Sequence, residues 1–380
     1  MDNVARVAVP TEIVIKIFEK LDFKHLCISR SVCKRWKFLI DSFDLLDESL
    51  KKVGKSKARK FFDDCLKRLS VLGKRIILIS GGYRKGNSLE TLEILGHPNA
   101  KLPSLPHSNS DHSMIITHDN LVMVFGGYKN GRKQCYHINR GSWKLQKPTT
   151  VPRESAITIA MPNGIYSFGG IFLGDIEHCK SSDFLPREIS EWEVGPPLPE
   201  PGISEGHGVA ISSTELVLIG GYSTRKMVLT YNIEDQTWTD LGDILVTGRC
   251  HHRSVFFNGK VIVSGGNEEQ FTLEGIKSTE VIDLSNGTSR RVGDLNIARH
   301  HHGMGIMEIN GKDKVVVFGG SNNHDKELDS VEEWDEKTET WTLSTMKLSE
   351  PKSSFAYCQI NSLRQRKVCH LALCLPPELT

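Results

Sequence analysis

The sequence predicts a two-part chain of mixed α and β structure: a small helical unit at the front, then a long all-β region of six repeats. Three observations carry this expectation. Six apolar runs end on adjacent glycines: "IILISGG" (76–82), "LVMVFGG" (121–127), "IYSFGG" (165–170), "LVLIGG" (216–221), "VIVSGG" (261–266) and "VVVFGG" (315–320). Aromatic residues and an Arg-x-x-His pattern keep step with those pairs. The first fifty residues lack this pattern and instead place apolar residues at helical spacing.

The first glycines of the pairs are Gly81, Gly126, Gly169, Gly220, Gly265 and Gly319, spaced 45, 43, 51, 45 and 54 residues apart. A regular period of this size marks a repeated supersecondary unit. Each run is short, rich in Val and Ile, and followed at once by turn chemistry, which describes a buried strand. Glycine at its end permits positive φ and close backbone approach. Downstream comes an aromatic and then a tryptophan: Tyr136 and Trp143, Tyr231 and Trp238, Trp334 and Trp341, with Leu185 and Trp192 in the third copy. The fifth copy has Ile282 and Ser289 in these places, and the first copy has neither aromatic. Upstream, Arg249 with His252 and Arg299 with His302 complete the Arg-x-x-His pattern; Arg153 keeps the arginine, and His112 and His207 keep the histidine.

Taken together, these residues resemble the kelch family over about residues 74–360. The resemblance implies an all-β, six-bladed β-propeller, each blade a four-stranded antiparallel sheet. A propeller must close, because an open first blade leaves strand edges exposed. The segment before Gly81 is not strand-like, but "PKSSFAYCQI" (351–360) carries Lys352 and Phe355 at the Arg and His positions. This late strand is expected to complete the first blade. The tail 361–380 shows no repeat signal.

The front of the chain reads "VPTEIVIKIFEKLDFKHLCISRSVCKRWKFLI" (9–40). Pro10 suits a first helical turn. Ile13, Ile17 and Leu21 follow at four-residue spacing, Asp22 can cap a short second helix through Leu26, and Val32, Trp36 and Ile40 form one stripe of a third. A unit this small with so many apolar residues suggests a partner that covers part of it. It resembles the F-box, in Val9-Pro10-Thr11-Glu12, Leu21, Leu26 and Val32-Cys33-Lys34-Arg35-Trp36, over roughly residues 7–48; valine stands where the family has its first leucine. The resemblance implies docking on the adaptor Skp1, and through it a cullin–RING ubiquitin ligase, by Pro10, Ile13, Ile17, Leu21, Leu26, Val32, Cys33 and Trp36. The alternative is a helical cap packed on the propeller. The expected domains are thus the F-box (1–50), a basic and partly helical linker (51–73), the propeller (74–360) and the tail (361–380).

A formal net charge of +2, with 38% hydrophobic and 25% charged residues, gives no reason to expect a nucleic-acid or membrane partner. No apolar run is long enough to cross a bilayer. Nine cysteines without a Cys-x-x-Cys pair fit a reducing compartment, cytosol or nucleus. The basic run "KKVGKSKARK" (51–60) reads as the solvated face of a linker or a nuclear address.

No nucleophile, phosphate-loop or metalloprotease motif occurs, and the chain is expected to be non-catalytic, without a cofactor. The clusters "CHH" (250–252) and "RHHHG" (299–303) invite a metal. His252 and His302 follow from repeat register, however, and no metal site is expected. Arg153, Arg249 and Arg299 share one repeat position just before a strand. As in some similar propellers, they are candidates to grip an acidic or phosphorylated target; the alternative is hydrogen bonding between blades. Tyr83, Tyr128 and Tyr222, each directly after a glycine pair, are further target-binding candidates. The functional expectation is a substrate receptor of an SCF-type (Skp1–cullin–F-box) ubiquitin ligase; the alternative is a kelch scaffold for cytoskeletal or signalling proteins that works without a ligase.

Overall fold

A computed structural model describes residues 75–360, apart from short segments at 98–101, 119–120, 129–132, 140–141, 172–178, 189–190, 269–273 and 323–325. All of them belong to one compact unit, Lys74–Leu375. The Skp1-docking candidates Pro10, Ile13, Ile17, Leu21, Leu26, Val32, Cys33 and Trp36 lie outside the described residues, as do the linker and the tail.

The described chain is a six-bladed propeller. Five blades are four-stranded antiparallel meanders, running 113–146, 157–194, 207–243, 253–291 and 303–347; these are blades 2 to 6. Blade 1 joins the two ends of the ring. Its central strand, Ile76–Ser80, pairs on one side with Leu92–Ile94 and on the other with Ala356–Ile360, in the register Ile76↔Ile360 to Ser80↔Ala356. The six innermost strands touch their neighbours in cyclic order, which closes the ring.

The glycine-terminated runs are the second strands, and their continuous apolar character has a simple cause. Side chains alternate between the two faces of a strand, and here both faces are covered by another blade. In blade 4, Leu216 and Leu218 pack toward blade 3, whereas Val217 and Ile219 pack toward blade 5. In blade 6, Val315 and Val317 face blade 5 while Val316 and Phe318 face blade 1. The hydrophobic core of the described residues is accordingly divided into six clusters, one at each blade–blade boundary.

The aromatic pairs sit across the outer strands. Tyr231 stands opposite Trp238 and Trp334 opposite Trp341, with ring centroids 4.6 and 5.1 Å apart. Ile282 and Ser289 face each other at the same place in blade 5. Blade 2 differs from the sequence expectation: Trp143 faces Ile138, and Tyr136 faces Leu145, because the connection after Asn139 is two residues long rather than four.

Both glycines of each pair have positive φ, and what surrounds them explains why no side chain is tolerated. A Cβ on Gly265 would come within 2.5 Å of the Arg299 carbonyl and 2.8 Å of the His302 ring of the next blade. A Cβ on Gly266 would meet the Cys250 carbonyl at 2.5 Å and the His252 Cβ of its own blade at 2.9 Å. We expect Gly265→Ala to cost roughly 2–4 kcal/mol in denaturant unfolding, from left-handed strain plus overpacking. Gly287→Ala, also at positive φ but in open space, should cost only the strain, roughly 1–2 kcal/mol.

Candidate functional site

Strand direction places all six glycine pairs on one face of the ring, together with the connections that enter each innermost strand. The opposite face carries the turns within hairpins. The glycine face is therefore the one with the longer connections, 171–181, 265–278 and 319–329 among them. Tyr83 and Tyr128 stand on it with 38% and 41% of their surface exposed. Tyr222 is half-buried, with the Arg225 guanidinium 5.9 Å from its ring centre. Their backbone amides bond to the Ser353, Ser110 and Ser204 carbonyls, which fixes them at the rim.

The repeated arginines are not on that face. Arg249 and Arg299 are fully buried and Arg153 is 2% exposed, so their guanidinium groups cannot reach a bound target. Each is a clamp inside its own blade. Arg249 pairs with Glu280 at 2.5 Å, Arg299 with Glu332 at 2.8 Å and Arg153 with Asp183 at 2.8 Å. In each, Nη1 donates to the carbonyl of the first glycine, Gly265, Gly319 or Gly169, at 2.9, 2.8 and 2.6 Å. Nη2 donates to a serine hydroxyl at or just before the start of the third strand, Ser278, Ser330 or Ser181. The carboxylates finish the clamp by accepting loop amides: Val246 and Thr247 donate to Glu280, Asn296 and Ile297 to Glu332. In blade 1, Lys352 with Glu93 at 2.8 Å takes the place of the arginine pair. Burial lowers the Arg249 and Arg299 pKa values, and their carboxylates oppose this. Burial alone would raise Glu280, but Arg249 and the donated hydrogen bonds hold it below the usual carboxylate value. These residues correct the target-binding expectation for Arg153, Arg249 and Arg299, and with it the reason to expect an acidic target.

The histidines of the repeat are wedges between blades. His112, His252 and His302 each lie against the first glycine of the preceding blade and the second of their own. His112 Nε2 is 2.8 Å from Ser80 Oγ, and His302 Nε2 is 3.5 Å from Ser264 Oγ. Both ring nitrogens of His252 lack a hydrogen-bond partner among the described residues. Burial lowers all three pKa values, His112 to about 3. His207 is displaced from this set. Its strand pairs His207 with Ile219, where blade 5 pairs Arg253 with Ser264, so Gly206 occupies the wedge position. His207 faces the axial cavity, with Nδ1 2.8 Å from Ser254 Oγ.

That cavity, about 880 Å3, is lined by the innermost strand of every blade. At its rim stand six non-glycine residues with positive φ, one per blade: Asp111, Ser155, Glu205, His251, His301 and Ser354. Their backbones form a belt. The amide of Ser155 donates to Asp111, Asp111 to Ser354, Ser354 to His301, His301 to His251 and His251 to Glu205, at 2.8–3.0 Å. The side chains interact too. His251 Nε2 is 3.0 Å from Glu205 Oε2, and its ring stacks on His301 with centroids 3.7 Å apart. Burial disfavours charge on His251, but the hydrogen bonds to Cys250 and Glu205 outweigh it and raise the pKa to about 10. Burial first, then the His251 charge, keeps His301 neutral.

Sequence reasoning missed the acids Glu93, Asp183, Glu280 and Glu332 and the rim residues Asp111 and Glu205. A local signal for three of the acids existed: Ser181-Ser182-Asp183, Ser278-Thr279-Glu280 and Ser330-Val331-Glu332 share Ser-x-acid.

We expect Arg249→Ala to lower stability by about 3–5 kcal/mol in denaturant unfolding, because Glu280 is left buried without its partner. Acid should also destabilise the ring. Below the unfolded histidine value near 6.5 the unfolded chain takes up protons that folded His112, His207, His252 and His302 refuse, so stability falls as pH drops from about 6.5. His252→Phe, which copies Phe355 of blade 1, should retain the fold and flatten the stability–pH curve between about 6.5 and 5, measured by thermal unfolding across pH.

Comparison with known proteins agrees with this geometry. The F-box domain family matches residues 8–48, and the Kelch motif family matches residues 310–344. The chain is 30% identical over 165 residues to Beta-scruin of Limulus polyphemus, covering 40% of this chain and 17% of that protein. It is 27% identical over 148 residues to Kelch domain-containing protein 7A of Mus musculus, covering 37% and 18%. To Kelch-like protein 15 of Homo sapiens it is 23% identical over 254 residues, covering 59% and 41%. The matches thus span less than half the length of each of these relatives. One sequence thus joins an F-box domain match to a six-bladed propeller that carries a Kelch motif match.

Proposed function

We propose that this chain is a substrate-recognition subunit of an SCF-type ubiquitin ligase. The observation that carries the reading is the presence of an F-box match at residues 8–48 in the same chain as a closed propeller. F-box residues Pro10, Ile13, Ile17, Leu21, Leu26, Val32, Cys33 and Trp36 dock on Skp1, which connects the chain to a cullin–RING core in the cytosol or nucleus. The glycine face of the propeller holds a target protein.

Transfer of ubiquitin is then promoted by tethering, which raises the local concentration of target lysines beside the conjugating enzyme. The covalent chemistry belongs to other subunits, and this chain is not itself an enzyme. A rigid ring suits the task, because it offers loops from several blades on one frame. Tyr83 and Tyr128 are the target contacts favoured by exposure; large aromatic side chains at a rim supply much contact area at low entropic cost.

Two measurements test this reading. Recombinant Skp1 should capture the full chain, and Trp36→Ala with Pro10→Ala should reduce capture at least about 10-fold, equivalent to roughly 1.4 kcal/mol. Absent capture, or capture indifferent to those changes, would leave a ligase-independent scaffold as the better reading. Proximity labelling in cells, with and without proteasome inhibition, should reveal a protein that accumulates on inhibition; Tyr83→Ala with Tyr128→Ala should lose that protein while Skp1 capture and melting temperature stay unchanged.

A further inference from the structure

The absence of a metal is expected from the sequence because His252 and His302 follow from repeat register, and those two are indeed buried between blades. The residues immediately before them are placed differently. At the rim, where blade 4 meets blade 5, a Glu205 carboxylate oxygen, the Cys250 sulfur and a His251 ring nitrogen lie within 4.8 Å of one another. Cys250 Sγ is 3.5 Å from His251 Nδ1, and Glu205 Oε2 is 3.0 Å from His251 Nε2. Two ligands of a tetrahedral zinc ion, one sulfur and one nitrogen, stand roughly 3.5 Å apart. The sulfur–nitrogen edge already has that spacing.

The surroundings bring these donors together. Glu205 and His251 have left-handed φ of 56° and 52°, and the His251 amide donates to the Glu205 carbonyl at 2.8 Å. The two backbones are thereby fixed next to each other across a blade boundary. Asn267 exchanges two backbone hydrogen bonds with Cys250 and sets its Oδ1 3.1 Å from His251 Nδ1, while its amide donates to the Glu274 carbonyl. His301 stacks on the imidazole. Orienting partners of this kind are what a metal ligand needs around it.

We propose that Glu205, Cys250 and His251 form a binding site for a divalent transition metal of the zinc class, completed by water, that ties blade 4 to blade 5 at the target-facing rim. The donor set of one thiolate, one imidazole and one carboxylate suits a borderline-soft ion, and its two negative charges match the ion's two positive ones. The ion forms bonds to sulfur, nitrogen and oxygen, any proton carried by those donor atoms leaves to solvent, and the His251 ring turns so that one nitrogen faces the ion. No oxidant or reductant takes part.

Cobalt(II) reports on such a site, because thiolate ligation gives an intense charge-transfer band in the near ultraviolet. Full-length protein, stripped with chelator and kept reduced, should bind one equivalent of cobalt with that band, and zinc should abolish it by displacement. Cys250→Ser should remove the band, Cys179→Ser should keep it, and Glu205→Gln should weaken affinity at least roughly 10-fold. Calorimetry in two buffers should show proton release on zinc binding to the unmodified protein. The proposal is overturned if no thiolate band forms, or if the band survives Cys250→Ser. Because the unmodified protein and Glu205→Gln are read separately, a folding failure of Cys250→Ser does not rescue the idea: absent proton release, or unchanged affinity in Glu205→Gln, also sinks it.

Discussion

Six backbones meet around one axis, and the fold depends on letting them come close there. The belt of amide–carbonyl bonds from Ser155 through Asp111, Ser354, His301 and His251 to Glu205 links all six blades. It exists only because each of those residues adopts a left-handed conformation that most side chains avoid. The strain, of order 1–3 kcal/mol per residue, is offset by burial at the blade boundaries. Directly outside the belt the same crowding excludes any Cβ at the glycine pairs, so the sequence pattern and the ring geometry are two views of one steric limit.

The clamps act one layer further out. A buried arginine–carboxylate pair is seldom a net gain over a well-packed apolar pair, so its value here is geometric. One guanidinium group joins a glycine turn, a third strand and the loop that enters the blade, and it satisfies carbonyls that packing has removed from water. Blades that lack the arginine replace its parts. In blade 2, Asn109 donates to the Gly126 carbonyl at 2.9 Å, and in blade 4 the Thr224 hydroxyl serves Gly220 at 2.8 Å while Ile203 fills the vacated space.

Much of this was legible from residue order alone. Alternation, glycine pairs and their period announce second strands, and period-two packing against two neighbours explains why those strands look apolar throughout. What failed was fine register and exposure. A two-residue turn after Asn139 moves Trp143 off Tyr136, and the pairing of His207 with Ile219 moves that histidine into the channel. The arginines were misplaced for a deeper reason. A residue repeated for structure and one repeated for binding look identical in one dimension. The distinction lies in partner acids whose distance from the glycines varies from blade to blade: Glu93 follows Gly81 by 12 residues, Glu280 follows Gly265 by 15. Glu205 carried no sequence signal, since its proximity to Cys250 and His251 exists only across a blade boundary.

The closing blade has a consequence for how the protein is made. Its central strand, Ile76–Ser80, is translated early, but its inner partner is Ala356–Ile360. Until that last segment leaves the ribosome, the nascent ring has a long apolar edge and no way to shield it, a state prone to wrong pairing with other chains. Completion therefore waits on a contact between residues some 280 positions apart, which makes the final step slow by topology.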